Sequence, residues 1–86
     1  MAQFLIESPH SPHECLMALQ QTLALGYLTH FGWGCKSGQH CGWVILEAES
    51  ESEALMVVPS LVRGKARAIR MTMFNPDEVK SMHEKK

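Results

Sequence analysis

Hydrophobic positions along this 86-residue chain change their period several times, and each change marks an element. Residues 2–7, AQFLIE, alternate in part and predict a first strand. Prolines in Ser8-Pro9-His10-Ser11-Pro12-His13-Glu14 break it. Ser11 then suits an N-cap, with Pro12 as first helical residue and Glu14 closing a capping box. Cys15, Leu16, Leu19 and Leu23 follow at helical spacing, with Ala18 and Thr22 beside them, and Gly26 supplies a stop, so a helix is predicted over 12–25. A second strand is predicted over 27–35, with Tyr27, Thr29, Phe31 and Trp33 on one face and Leu28, His30, Gly32 and Gly34 on the other. Lys36-Ser37-Gly38-Gln39 reads as a turn. Residues 41–48 form a third strand, apolar on both faces and therefore central.

Ser50 and Glu53 open a second helix carrying Ala54, Leu55, Val58 and Leu61, which Pro59 kinks or ends. Gly64 allows a turn into a fourth strand over 66–74, in which Ile69, Met71 and Met73 alternate with Arg70 and Thr72. Asn75, Pro76 and Glu78 cap a short last helix, with Phe74 and Val79 as a hydrophobic staple. The tail, residues 83–86, is expected to fray. The order is β-α-β-β-α-β plus a terminal helix, an α+β ferredoxin-like pattern with an antiparallel sheet in the order 4-1-3-2. Both helices then cover one sheet face. The other face needs the last helix or a second protomer, which leads to an expected homodimer.

Composition adds mainly exclusions. The length fits a single domain, residues 1–86. With 45 % hydrophobic and 20 % charged residues the chain is an ordinary globular one. A net charge of −1 lacks the basic excess of a nucleic-acid binder. No apolar run approaches the roughly 20 residues that span a bilayer, and the start lacks the basic region and apolar core of a signal peptide. A cytoplasmic protein is expected, with no nucleic-acid or membrane partner. Three cysteines, an odd number, do not make a full disulfide framework and read as thiols.

Trp33-Gly34, Gly38, Gly42-Trp43 and Glu47-Ala48, together with Glu7-Ser8-Pro9-His10 and Glu14-Cys15-Leu16, resemble a pattern in small bacterial and archaeal proteins of the dimeric α+β barrel type. The resemblance implies that fold and dimerisation. It implies little about activity, because such barrels host monooxygenases, isomerases, metal binders and ligand sensors alike.

The expected topology brings the end of the first strand and the 35–41 hairpin to one end of the sheet. His10, His13, Cys35, His40 and Cys41 then share a rim, with Cys15 nearby, and imidazole and thiolate suit a transition metal. Packing offers a plainer account: Cys15 lies on the apolar helical stripe as a small core residue, His13 is exposed in the first helical turn, and Cys35 and Cys41 pack as neighbours or form a labile disulfide. Two hairpin registers fit. In one, Cys35 faces Cys41 and Trp33 faces Trp43; in the other, a two-residue Ser37-Gly38 turn sets Cys35 opposite His40 and sends the tryptophans to opposite faces. A second candidate is His30, whose own strand face carries Gly32 and Gly34. That arrangement suits a small-molecule pocket and proton transfer by an isomerase- or monooxygenase-type enzyme. A structural or partner-binding dimer without a site is the third reading. Arg63, Lys65, Arg67 and Arg70 read as a solvated basic face.

Overall fold

A computed structural model describes residues 1–84; Lys85 and Lys86, part of the tail expected to fray, lie outside the described residues. Four strands, β1 (Ala2–Pro9), β2 (Gly32–Trp33), β3 (Cys41–Ala48) and β4 (Arg67–Met71), form one sheet in the order β2-β3-β1-β4. All three pairings are antiparallel. The helices are α1 (Cys15–Ala24), α2 (Glu51–Ala54), α3 (Ser60–Arg63) and α4 (Pro76–Glu84).

The chain is α+β and its strand neighbours are those expected, but it does not build the ferredoxin-like β-α-β-β-α-β unit, nor a barrel. The second strand shrinks to a dipeptide. α1 ends in a Schellman motif: Gly26 takes φ +85, the Tyr27 amide donates to the Thr22 carbonyl and the Gly26 amide to the Leu23 carbonyl. Leu28–His30 continue as a 3-10 turn. The Trp33 indole N–H fastens that turn by donating to the Leu28 carbonyl at 3.1 Å. These bonds take up backbone that a longer strand would need. The expected second helix breaks into α2, a 3-10 turn over Leu55–Val57, and α3. Pro59 is the cause: it forces Val58 into an extended conformation (φ −88, ψ 133) and has no amide to continue a helix. Arg63 Nε donates to the Val58 carbonyl stranded by that break. The sheet does not close, because β2 and β4 are its two edges.

Phe4 and Ile6 of β1, Val44 and Ala48 of β3, and Phe31 face the helical side and bury Ala18, Ala54, Val57, Val58 and Val62. The α1 stripe differs from expectation. Leu16 and Leu23 are 66 % and 62 % exposed, while Ala18 and Thr22 face inward. Small side chains let the helix lie close, and the buried Thr22 hydroxyl is satisfied by donating to the Ala18 carbonyl at 2.7 Å. This rotation also turns Cys15, three residues before Ala18, toward the sheet. The opposite sheet face carries Leu5, Trp43, Ile45, Ile69 and Met71 by register. Ile45 is 59 % and Ile69 38 % exposed. α4 leaves Val79 and Met82 exposed. The described residues span 51 × 29 × 21 Å. Among the described residues, no helix is long and apolar enough to cross a membrane.

Candidate metal centre

The β1–β3 ladder sets up the site. Its last pair is Pro9 opposite Cys41, and the next step places His10 beside His40, joined by the His10 amide donating to the His40 carbonyl at 3.0 Å. Side chains alternate across a strand. Phe4, Ile6, Ser8 and His10 follow one another on the buried face of β1, and His10 is 6 % exposed. The His10 and His40 rings meet edge to face with centroids 5.6 Å apart. By the same alternation Cys41, adjacent to His40 in sequence, falls on the other side of the sheet. There it lines an open cleft with Glu7, Pro9 and Trp43, to which Gln39 and His40 also contribute.

The hairpin delivers Cys35. Gly32 pairs with Trp43 and Trp33 with Gly42, so the tryptophans lie on opposite faces. The register is the one that sets Cys35 across from His40, but without a two-residue turn. Cys35–Ser37 form a 3-10 turn, Gly38 follows at φ +87, and the Gln39 amide donates back to the Gly34 carbonyl at 2.9 Å. That coil points the Cys35 Sγ at His10 Nε2, 3.3 Å away. Gly42 makes the approach possible: a Cβ there would lie 2.7 Å from the Trp33 ring. Trp33 stacks on Phe31 at 5.1 Å and tilts against His10 at 6.3 Å, shielding the site.

The loop before α1 delivers Cys15. The Ser11 amide donates to Glu14 Oε1 at 2.9 Å and the Glu14 amide to Ser11 Oγ at 3.3 Å, so the expected capping box forms. Regular helix begins at Cys15, after a Pro12–Glu14 turn. Lys65 Nζ donates to Glu14 Oε1 at 2.6 Å and ties this corner to the start of β4. The Lys65 bond, seconded by the Ser11 amide, holds the Glu14 carboxyl down to about 2. Arg67 pairs with Glu7, so the basic face is partly engaged.

One ligand atom each from His10, Cys15, Cys35 and His40 lies within 4.8 Å of all the others. The sequence-expected rim is therefore partly assembled. His10, Cys35 and His40 converge, while His13, exposed in the turn before α1, and Cys41 stand outside this set. Cys15 joins it. Its place on an apolar stripe disguised it; the signal was its position just past a capping box that starts at a histidine-bearing strand end. His30 is exposed in the 3-10 turn, its ring 5.4 Å from Tyr27. Gly32 is exposed, and the space over Gly34 is filled by Gln39 and Trp43. All three cysteines are free thiols.

The His10 imidazole suits a cation, whereas the raised thiols would have to give up their protons on binding one. Burial lowers the His10 pKa, and the neighbouring His40 lowers it further. Glu14 and the Ser8 backbone act against this. A neutral imidazole is the ligating form. Burial raises the Cys35 thiol, with Cys15 adding to the effect, and burial likewise raises Cys41. Nδ1 of both His10 and His40 is buried without a hydrogen-bond partner among the described residues. On His10 it is the other nitrogen, Nε2, that lies beside Cys35 Sγ.

Distances agree with zinc-like coordination. Bonds of about 2.3 Å to sulfur and 2.0–2.1 Å to nitrogen imply tetrahedral edges of about 3.3–3.8 Å. The His10–Cys35 edge already has that length, and the rest need to close by at most about 1.5 Å. Two thiolates and two neutral imidazoles also balance a dication in charge. No family model, curated protein or solved structure matches this chain. The resemblance to small dimeric α+β barrel proteins therefore rests only on the sequence motifs that suggested it.

Proposed function

We propose that this protein binds one divalent transition metal ion, zinc by its ligand chemistry, through His10, Cys15, Cys35 and His40. The observation that carries this reading is the gathering of four soft or borderline donors within 4.8 Å from the end of β1, the start of α1 and the β2–β3 hairpin. A closed set of four protein ligands leaves no position for a substrate. The ion therefore acts by holding the strand end, the hairpin and the start of α1 together. Thiolate ligands need a reducing compartment, which supports a cytoplasmic setting. Elemental analysis of untagged, reduced protein should find one metal per chain after reconstitution. Substitution by Co²⁺ should give tetrahedral d–d bands with thiolate charge transfer. Absence of stoichiometric metal in the reconstituted, reduced protein would sink the reading.

A second reading concerns assembly and is compatible with the first. The outer sheet face, with Leu5, Trp43, Ile45 and Ile69, supports self-association as a homodimer. Sedimentation over a concentration series tests it.

A further inference from the structure

The metal site contains two of the three cysteines, and its geometry separates them from the third. Cys15 and Cys35 each offer a sulfur to a cluster no wider than 4.8 Å. Tetrahedral coordination would bring those sulfurs to about 3.8 Å. A disulfide, at about 2.05 Å, requires a further approach of the two side chains. Both residues can supply it. Cys15 stands at the first position of α1, and Cys35 at the start of the 3-10 turn between Gly34 and Gly38. Both are half-buried and within reach of a small solute. Cys41 is held apart: it follows His40 by one residue, so the strand sends its side chain to the far face, where Sγ lies 3.6 Å from the Gly42 carbonyl.

We infer that Cys15 and Cys35 form a dithiol–disulfide pair whose oxidation by a peroxide releases the metal, so that the site holds its ion only while reduced. The inference rests on the metal reading above. The step balances: two metal-bound thiolates and one hydrogen peroxide give one disulfide and two hydroxide ions. The sulfur–sulfur bond forms, the oxygen–oxygen bond breaks, and each sulfur gives up one electron. The disulfide no longer supplies anionic ligands, and two neutral imidazoles alone bind a dication weakly. A dithiol reductant returns both thiolates and restores the site.

Trypsin makes the pairing directly readable. Cleavage after Lys36 and Arg63 places Cys15 and Cys35 together in Met1–Lys36 and leaves Cys41 in Ser37–Arg63. Reduced full-length protein is first titrated with zinc, then the loaded form is treated with hydrogen peroxide. A chromogenic chelator follows zinc, and the alkylated digest is read by mass spectrometry. The expected result is one zinc released per disulfide. Met1–Lys36 should be unalkylated and lighter by two hydrogens, Cys41 alkylated, and zinc binding restored by dithiothreitol. Cys41→Ser should behave as the parent protein, and Cys15→Ser should form no disulfide within Met1–Lys36. If the reduced protein takes up no zinc, the metal reading falls and this inference falls with it. If zinc binds but Cys41 becomes cross-linked, or the disulfide forms with zinc retained, the inference alone is overturned.

Discussion

At the residue scale, this protein turns on four side chains that have little in common in sequence. Under the proposed metal reading, exchange of any one would remove a bond to the ion itself. Cys35→Ser and His10→Ala should therefore weaken metal binding by more than the 10–100-fold typical of outer-shell changes. His13→Ala and Cys41→Ser, outside the set, should leave affinity within about twofold. Competition with a chelator of known affinity checks all four. Proton linkage gives a second prediction, for the metal-free protein. The folded state holds the His10 pKa below 6.5, mainly by burial and then by His40. Below that value the unfolded chain binds a proton that the folded chain resists, so stability falls as pH drops from 6.5 toward the folded value. Thermal midpoints measured between pH 7.5 and 5.5 should decline over this window, and less steeply in His10→Asn. An unchanged slope in that variant would remove His10 as the cause.

At the element scale, the hairpin and the α1 corner aim the ligands. Gly42 is a packing position rather than a turn: it leaves room for the Trp33 ring that shields His10. Gly42→Ala forces that ring outward and is expected to destabilise by about 1–3 kcal/mol. Chemical denaturation should show it, together with weaker metal binding. Ser11 works at the other corner by capping the turn that presents Cys15. Ser11→Ala should lower stability by about 0.5–2 kcal/mol, with metal affinity falling through misplaced Cys15 alone. The capping residues and Pro59 were legible because their effects are local. The length of β2 was not, since Leu28 is drawn into a 3-10 turn by the indole of a residue five positions on. The inward face of α1 was legible only in part: Ala18 and Thr22 were read as flanking the stripe and not as its centre. Hydrophobicity favoured Leu16 and Leu23, whereas close packing against the sheet selected Ala18 and Thr22.

At the scale of the whole molecule, the ion would join segments that lie up to 30 residues apart, from His10 to His40. An 86-residue domain has little stability to spare, so a ligand of the folded state alone has a large effect. Free metal at 100 times its dissociation constant adds about 2.7 kcal/mol. For a domain of this size that corresponds to a rise of about 10–20 °C in the melting midpoint. Calorimetry with and without chelator checks it. A shift in Cys35→Ser equal to that of the parent would show that binding occurs elsewhere. The outer sheet face makes a separate prediction. Ile45→Glu should shift a dimer to monomer in sedimentation without lowering metal content, because Ile45 is far along β3 from the ligands and faces the other way.

The sequence by itself determined the α+β class, the principal strands and the capping boxes. Those depend on local periodicity and short-range hydrogen bonds. It also brought His10, Cys35 and His40 to a common rim, through topology. Tertiary structure decided the rest. Strand alternation joined with a fixed register sent His40 inward and its neighbour Cys41 outward. The packing of a small-residue helix face turned Cys15 into the cluster. A one-residue change of register or a modest rotation of α1 would have chosen different ligands, and only long-range packing sets either one.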